Sequence, residues 1–130
     1  MDALIIEDNP HVSAVMAEYC LELGFAVHQA YSFRAALAAL SRLTPDLILL
    51  DLVLPESSGF TLCEAIRQDA RLANVPVMVV SGRSVPMDRA AAEAAGATAY
   101  LVKPFGRSRF VEMVREALDG EPSGPWRAAG

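Results

Sequence analysis

The sequence has little of what would send a protein into a membrane, out of the cell or onto a charged polymer. No apolar run approaches the roughly 20 residues that a bilayer-spanning helix requires, and the amino end has no basic stretch leading into an apolar one. Both absences imply a cytoplasmic protein without membrane contact. Cysteine is reduced to Cys20 and Cys63, whose spacing suits neither a metal site nor a redox pair. Each falls in a helical pattern and reads as a buried, reduced thiol. Positive charge is outnumbered, with 11 Lys and Arg against 16 Asp and Glu and a net charge of −5. That balance argues against direct contact with nucleic acid or an anionic bilayer. His11 and His28 are the two histidines: one opens a helix and one alternates within a strand, and neither has a partner suited to catalysis or metal binding. Repeats and low-complexity segments are absent.

What is present is an apolar majority, 53% of 130 residues, enough to fill the core of one domain. The organising stretch runs from Pro45 to Pro55. Leu47 to Leu50 is the kind of short apolar run that fills a strand buried on both faces. It ends on Asp51, and a carboxylate is too costly to bury alone. Asp51 therefore belongs at the strand's carboxyl end, where a crevice opens in an open α/β sheet. Other apolar runs end in comparable fashion. Glu7-Asp8 follows the first, Ser81 a later one and Lys103-Pro104 the last. Four strand ends thus deliver three carboxylates, a hydroxyl and an ammonium.

Strand and helix alternate five times along the chain. Ala3 to Ile6 is a strand, after which Asn9 caps a helix with Pro10 at its first position. Val12, Val15, Met16, Tyr19 and Leu23 form the apolar face of that helix, and Gly24 ends it. Phe25 to Gln29 is a second strand, and Ser32 caps a helix carrying Phe33, Ala36, Leu37 and Leu40 inward. Beyond the central strand, Ser57 or Ser58 starts a helix bearing Phe60, Leu62, Cys63 and Ile66. Val75 to Val80 is a fourth strand, with Pro76 tolerable only near its start. Ser84 caps a fourth helix stopped at Gly96, Ala97 to Val102 is a fifth strand, and Phe105 to Leu118 contains the last helix. This alternation predicts a doubly wound parallel sheet of five strands, covered by five helices through right-handed crossovers. Residues 120–130, which hold Trp126, are rich in Pro, Gly and Ala and read as a loose tail. No DNA-binding or catalytic effector fits into so short a remainder.

In this arrangement the chain resembles a response-regulator receiver domain of two-component signalling, over residues 2–119. The matching residues are Glu7-Asp8, Asp51, Pro55 and Gly59, Ser81-Gly82, Gly96-Ala97, Tyr100 and Lys103-Pro104-Phe105. The resemblance implies a flavodoxin-like fold with strand order 2-1-3-4-5. It also implies a phosphoryl donor, either a histidine kinase or a phosphotransfer protein, and no enzymatic turnover beyond self-dephosphorylation. By the same resemblance Tyr100 is the aromatic side chain that changes rotamer on phosphorylation, together with Ser81.

The residues support that chemistry in their own right. Asp51 can act as the nucleophile that takes a phosphoryl group as an acyl phosphate, a transfer that needs mainly positioning and charge neutralisation. Glu7, Asp8, Asp51 and a backbone carbonyl at Val53 offer the oxygen ligands that suit Mg²⁺. Lys103 supplies positive charge for the phosphoryl oxygens and Ser81 a hydroxyl donor, while Gly82 leaves room beside it. Two alternatives share parts of this pattern. A Mg²⁺-dependent aspartate-nucleophile phosphohydrolase resembles it but carries a second Asp two positions on as general acid, where this chain has Val53. A flavodoxin-like nucleotide or flavin binder needs a phosphate-cradling loop after the first strand, where this chain has Glu-Asp-Asn-Pro.

Overall fold

The computed structural model describes residues 1–119. Its elements alternate without exception: β1 (Asp2–Ile6), α1 (Pro10–Glu22), β2 (Ala26–Ala30), α2 (Phe33–Leu40), β3 (Leu47–Leu50), α3 (Gly59–Gln68), β4 (Val77–Ser81), α4 (Pro86–Ala94), β5 (Ala99–Val102) and α5 (Arg107–Asp119). All strand pairs are parallel and the order is β2-β1-β3-β4-β5, as expected. Apolar runs made this outcome inevitable for the middle of the sheet. Every residue of β1 from Ala3 on, and every residue of β3 and β4, is buried, so helices must cover both faces.

Alternation within each strand divides the core in two. Leu4, Ile6, Ile48, Leu50, Val77 and Val79 face α2, α3 and α4, packing on Ala36, Leu40, Leu62, Ile66 and Ala92. Ala3, Ile5, Leu47, Leu49, Met78 and Val80 face α1 and α5, against Met16, Cys20, Phe110, Met113 and Val114. Both cysteines are buried and free, and burial pushes their thiols well up, that of Cys20 to about 12 and that of Cys63 to about 11. Such thiols are inert packing groups.

Helix starts follow the expected chemistry in three cases and depart from it in one. Asn9 accepts from His11 and Val12 N–H, Ser32 from Ala35 N–H, and Ser58, rather than Ser57, from Thr61 N–H. The fourth helix is not capped by Ser84. Its N-cap is Val85, which makes no side-chain bond, because Pro86 takes the first helical position. Val15 and Leu37, expected on apolar faces, stand partly in solvent. Pro76 lies before β4, and α5 begins two residues after Phe105. The expected tail, with Trp126, falls outside the described residues. Among the described residues no helix is long and apolar enough to cross a membrane.

Candidate functional site

The parallel ladder brings the expected site residues to one edge of the sheet by continuing past the strand ends. Glu7 N–H donates to Ala30 O at 3.0 Å, Asp51 N–H to Ile6 O at 3.0 Å, and Lys103 N–H to Ser81 O at 2.8 Å. Glu7, Asp51, Ser81 and Lys103 are therefore neighbours by backbone register, before any side chain acts. Asp8, one residue beyond Glu7, is exposed at the mouth.

Side chains then converge. One carboxylate oxygen from each of Glu7, Asp8 and Asp51 lies within 4.8 Å of the others. Glu7 is 1% exposed and Asp51 6%, a costly pairing of like charges. The Lys103 ammonium answers both, hydrogen-bonded to Glu7 Oε1 and standing 3.2 Å from Asp51 Oδ2. The remaining oxygens take backbone donors: Glu7 Oε2 accepts from Asn9 N–H and Asp51 Oδ1 from Val53 N–H, each at 3.1 Å. Asn9 thus both caps α1 and holds Glu7, a double duty that its sequence position disclosed only in part. This set of hard oxygen donors around a compact space fits Mg²⁺.

The Glu7 carboxyl is held up at about 7: burial raises it most, the Lys103 and Asn9 bonds pull it down, and the Asp51 charge raises it. Burial works against the Lys103 ammonium, yet its Glu7 bond and the Asp51 charge outweigh that and hold its pKa raised. The consequence for stability has a definite sign. A carboxyl that keeps its proton more tightly when folded contributes stability below its ordinary value of 4.5, and this is lost as pH rises through about 7. In metal-free buffer, the melting temperature of the wild type relative to Glu7→Gln should therefore fall by several degrees from about pH 5 to about pH 8. Paired thermal melts check this, and a flat difference would contradict it.

The loop leaving Asp51 is built tightly. Gly59 N–H donates to Leu52 O at 2.8 Å, where Val53 lies opposite Ser58. A Cβ on Gly59 would meet Asp51 O at 2.2 Å and Leu52 Cα at 2.7 Å. Glu56 adopts φ 79°, the left-handed region that a non-glycine residue enters at a cost.

Ser81 and Tyr100 do not touch Asp51 through any hydrogen bond of the structure. Ser81 Oγ accepts from Arg83 N–H at 3.1 Å, and the Tyr100 hydroxyl donates to Arg83 O at 2.5 Å. The tyrosine ring is 4% exposed, packed in the α2–α3–α4 half of the core. Burial above all raises the Tyr100 pKa, and the Arg89 guanidinium stands 5.7 Å from the ring centroid. Arg83 contributes through its main chain, a role that no side-chain pattern signals. Two clefts flank the site. One, of about 370 Å³, is an apolar mouth formed by Val12, Val15, Pro104 and Phe105 beside Lys103. The other, also about 370 Å³, lies between Arg89, Tyr100, Phe105 and Arg109.

Comparison with known proteins covers nearly all of the described chain. The family model for the response regulator receiver domain matches residues 3–115. The DNA-binding dual master transcriptional regulator RpaA of Synechocystis is 36% identical over 115 residues, which is 88% of this chain and 48% of that protein. The KDP operon transcriptional regulatory protein KdpE of Escherichia coli is 36% identical over 117 residues, 90% of this chain and 51% of that one. The chain therefore spans about half the length of these curated relatives. Among solved structures, the chemotaxis response regulator CheY4 of Vibrio cholerae superposes with a TM-score of 0.86 at 25% identity, covering 90% of this chain and 98% of that one.

Proposed function

Because the chain belongs to the response-regulator receiver family, we propose that it is a phospho-acceptor signalling domain whose acceptor is Asp51. The observation that carries this reading is the shared ammonium: Lys103 reaches the two buried carboxylates of Glu7 and Asp51, with the exposed Asp8 beside them. A carboxylate oxygen of Asp51 attacks the phosphorus of a phosphohistidine on a histidine kinase or phosphotransfer protein. The P–N bond breaks, its electron pair stays on the imidazole nitrogen, and an acyl phosphate forms on Asp51. Val53 N–H orients the carboxylate, and Lys103 remains as a fixed cation for the transferred oxygens. Glu7, Asp8, Asp51 and the Val53 carbonyl would hold Mg²⁺, which supplies further positive charge against the phosphoryl group. The apolar mouth around Val12, Val15 and Phe105 gives a donor protein a surface beside that cation.

Receiver domains are signalling domains rather than enzymes with turnover. This chain suits that role because Val53, 58% exposed, stands where a phosphohydrolase would carry its general acid. The output is carried by α4, β5 and α5. A phosphoryl group adds about −1.5 to −2 charge and accepts from the Ser81 hydroxyl, drawing Oγ away from Arg83 N–H and loosening the loop that Tyr100 grips. A ligand shifts such an equilibrium only by its differential affinity for the two packings. Amide-resolved NMR with beryllofluoride and Mg²⁺ tests this. Shifts should spread from Asp8, Asp51 and Ser81 to Tyr100 and α5; shifts confined to the loops around those three residues would overturn it. The DNA binding in the name of RpaA belongs to that protein.

A further inference from the structure

The two ends of α4 are held by different means. At its start Val85 offers no side-chain cap, so Asp88 N–H turns to Val85 O at 3.0 Å, beside the ordinary first helical bond from Arg89 N–H at 3.4 Å. Met87 beside them is 80% exposed. What ties this end to the sheet is the Arg89 guanidinium over the Tyr100 ring and, through the loop before the helix, the Tyr100 hydroxyl on Arg83 O, the Ser81 hydroxyl under Arg83 N–H, and an Arg83–Asp88 ion pair of 3.0 Å. These are the contacts that sit next to the acceptor site.

The other end meets a guanidinium. Ala95, Gly96 and Ala97 N–H close the helix on Ala91, Glu93 and Ala92 carbonyls, each at 3.0 Å. Gly96 has φ +107°, and a Cβ there would meet Arg67 Cγ at 2.4 Å. Arg67 Nε donates to Gly96 O at 2.8 Å and Nη2 to Thr98 Oγ1 at 3.3 Å. Its Nη1 reaches the carbonyls of Leu72, Ala73 and Val75 at 3.2, 3.1 and 2.7 Å. Thr98 is fixed in turn by Val77, which donates to its Oγ1 at 3.1 Å and accepts its N–H at 2.8 Å. The planar fork of one arginine therefore binds the α3–β4 and α4–β5 connections together.

We propose that Arg67 is the fixed pivot of α4: the helix swings about its clasped C-terminal end, and displacement grows toward Val85 and Met87. This rests on the reading above that α4 belongs to the responding face. It assigns Arg67, on the neighbouring helix, as a positioning residue for that response. Release of Arg83 would then free the long arm of a lever rather than loosen the whole helix.

Native-state amide hydrogen exchange on the unphosphorylated 130-residue chain tests the pivot. Amides of Ala95, Gly96 and Ala97 should exchange at least about tenfold more slowly than those of Asp88 and Arg89. Arg67→Lys keeps the charge but loses the fork, and should speed the first three about tenfold while Leu49 and Val79 hold their rates. A merely destabilised protein would speed all of them together. If Arg67→Lys does not fold, Thr98→Val, which keeps the shape and drops one acceptor, should give a smaller gain confined to the same amides. Equal protection at both ends of wild-type α4, or uniform acceleration in the variants, would overturn the pivot. No phosphoryl group enters this measurement, so failure of the acceptor assignment would leave its outcome intact.

Discussion

Replacing Lys103 by Met should destabilise the metal-free protein by about 3 kcal/mol at about pH 8. Methionine keeps the aliphatic stem that lines the mouth with Pro104 and Phe105, so the change isolates the charge. Without the ammonium, Glu7 and Asp51 face each other buried and uncompensated. The protein has one escape, which sets the pH dependence. Glu7 already holds its proton up to about 7, and without Lys103 it should hold it higher still. The cost should therefore shrink toward about pH 5, where a neutral Glu7 needs no partner. Millimolar Mg²⁺ should restore more stability to Lys103→Met than it adds to the wild type, through binding to the folded state alone. Urea denaturation at the two pH values checks this, provided the slopes agree. A loss below about 1 kcal/mol at both pH values would mean that Lys103 is a solvated surface cation.

The second large effect comes from a residue without a side chain. Gly59→Ala should cost about 3 kcal/mol, at the upper end for an added methyl group. The Cβ would lie 2.2 Å from Asp51 O and 2.7 Å from Leu52 Cα. Both are main chain, so no rotamer change can relieve the contact. The backbone beneath the acceptor must shift, and the Gly59–Leu52 hydrogen bond goes with it. Gly82→Ala is the matched control. A Cβ there meets nothing within 4 Å, and its stability should stay within about 0.5 kcal/mol of wild type. Chemical denaturation of the pair decides the matter. Equal stability would show that the β3–α3 loop can give way, and that Gly59 does not fix the position of Asp51.

Most of the architecture could be read from the chain because it depends on patterns local to each element. A four-residue run such as Leu47–Leu50 is apolar throughout only when both faces are covered, and four such runs with a half-exposed edge strand, separated by helical patterns, leave little choice of fold. The converging acids and lysine were legible for the same reason: each follows immediately on a strand. Details set by tertiary geometry were not. Ser84 looks like a cap, but Pro86 at the first helical position moves the start to Val85. Leu37 fits an apolar period yet lies on a helix too short to bury its whole face. Arg67 reads as a charge at a helix end, and its five acceptors come from segments up to 31 residues away. Arg83 meets the Tyr100 hydroxyl with a main-chain carbonyl, which no side-chain pattern reveals.

One carboxylate, that of Asp51, is the proposed acceptor. Wild-type protein and Asp51→Asn should be incubated with acetyl phosphate and Mg²⁺ and their intact masses compared. The wild type should gain the mass of a single phosphoryl group, lost again on denaturing at alkaline pH as an acyl phosphate must be, and Asp51→Asn should gain nothing. An Asp51→Asn protein that took up the same mass under the same conditions would place the acceptor on another residue.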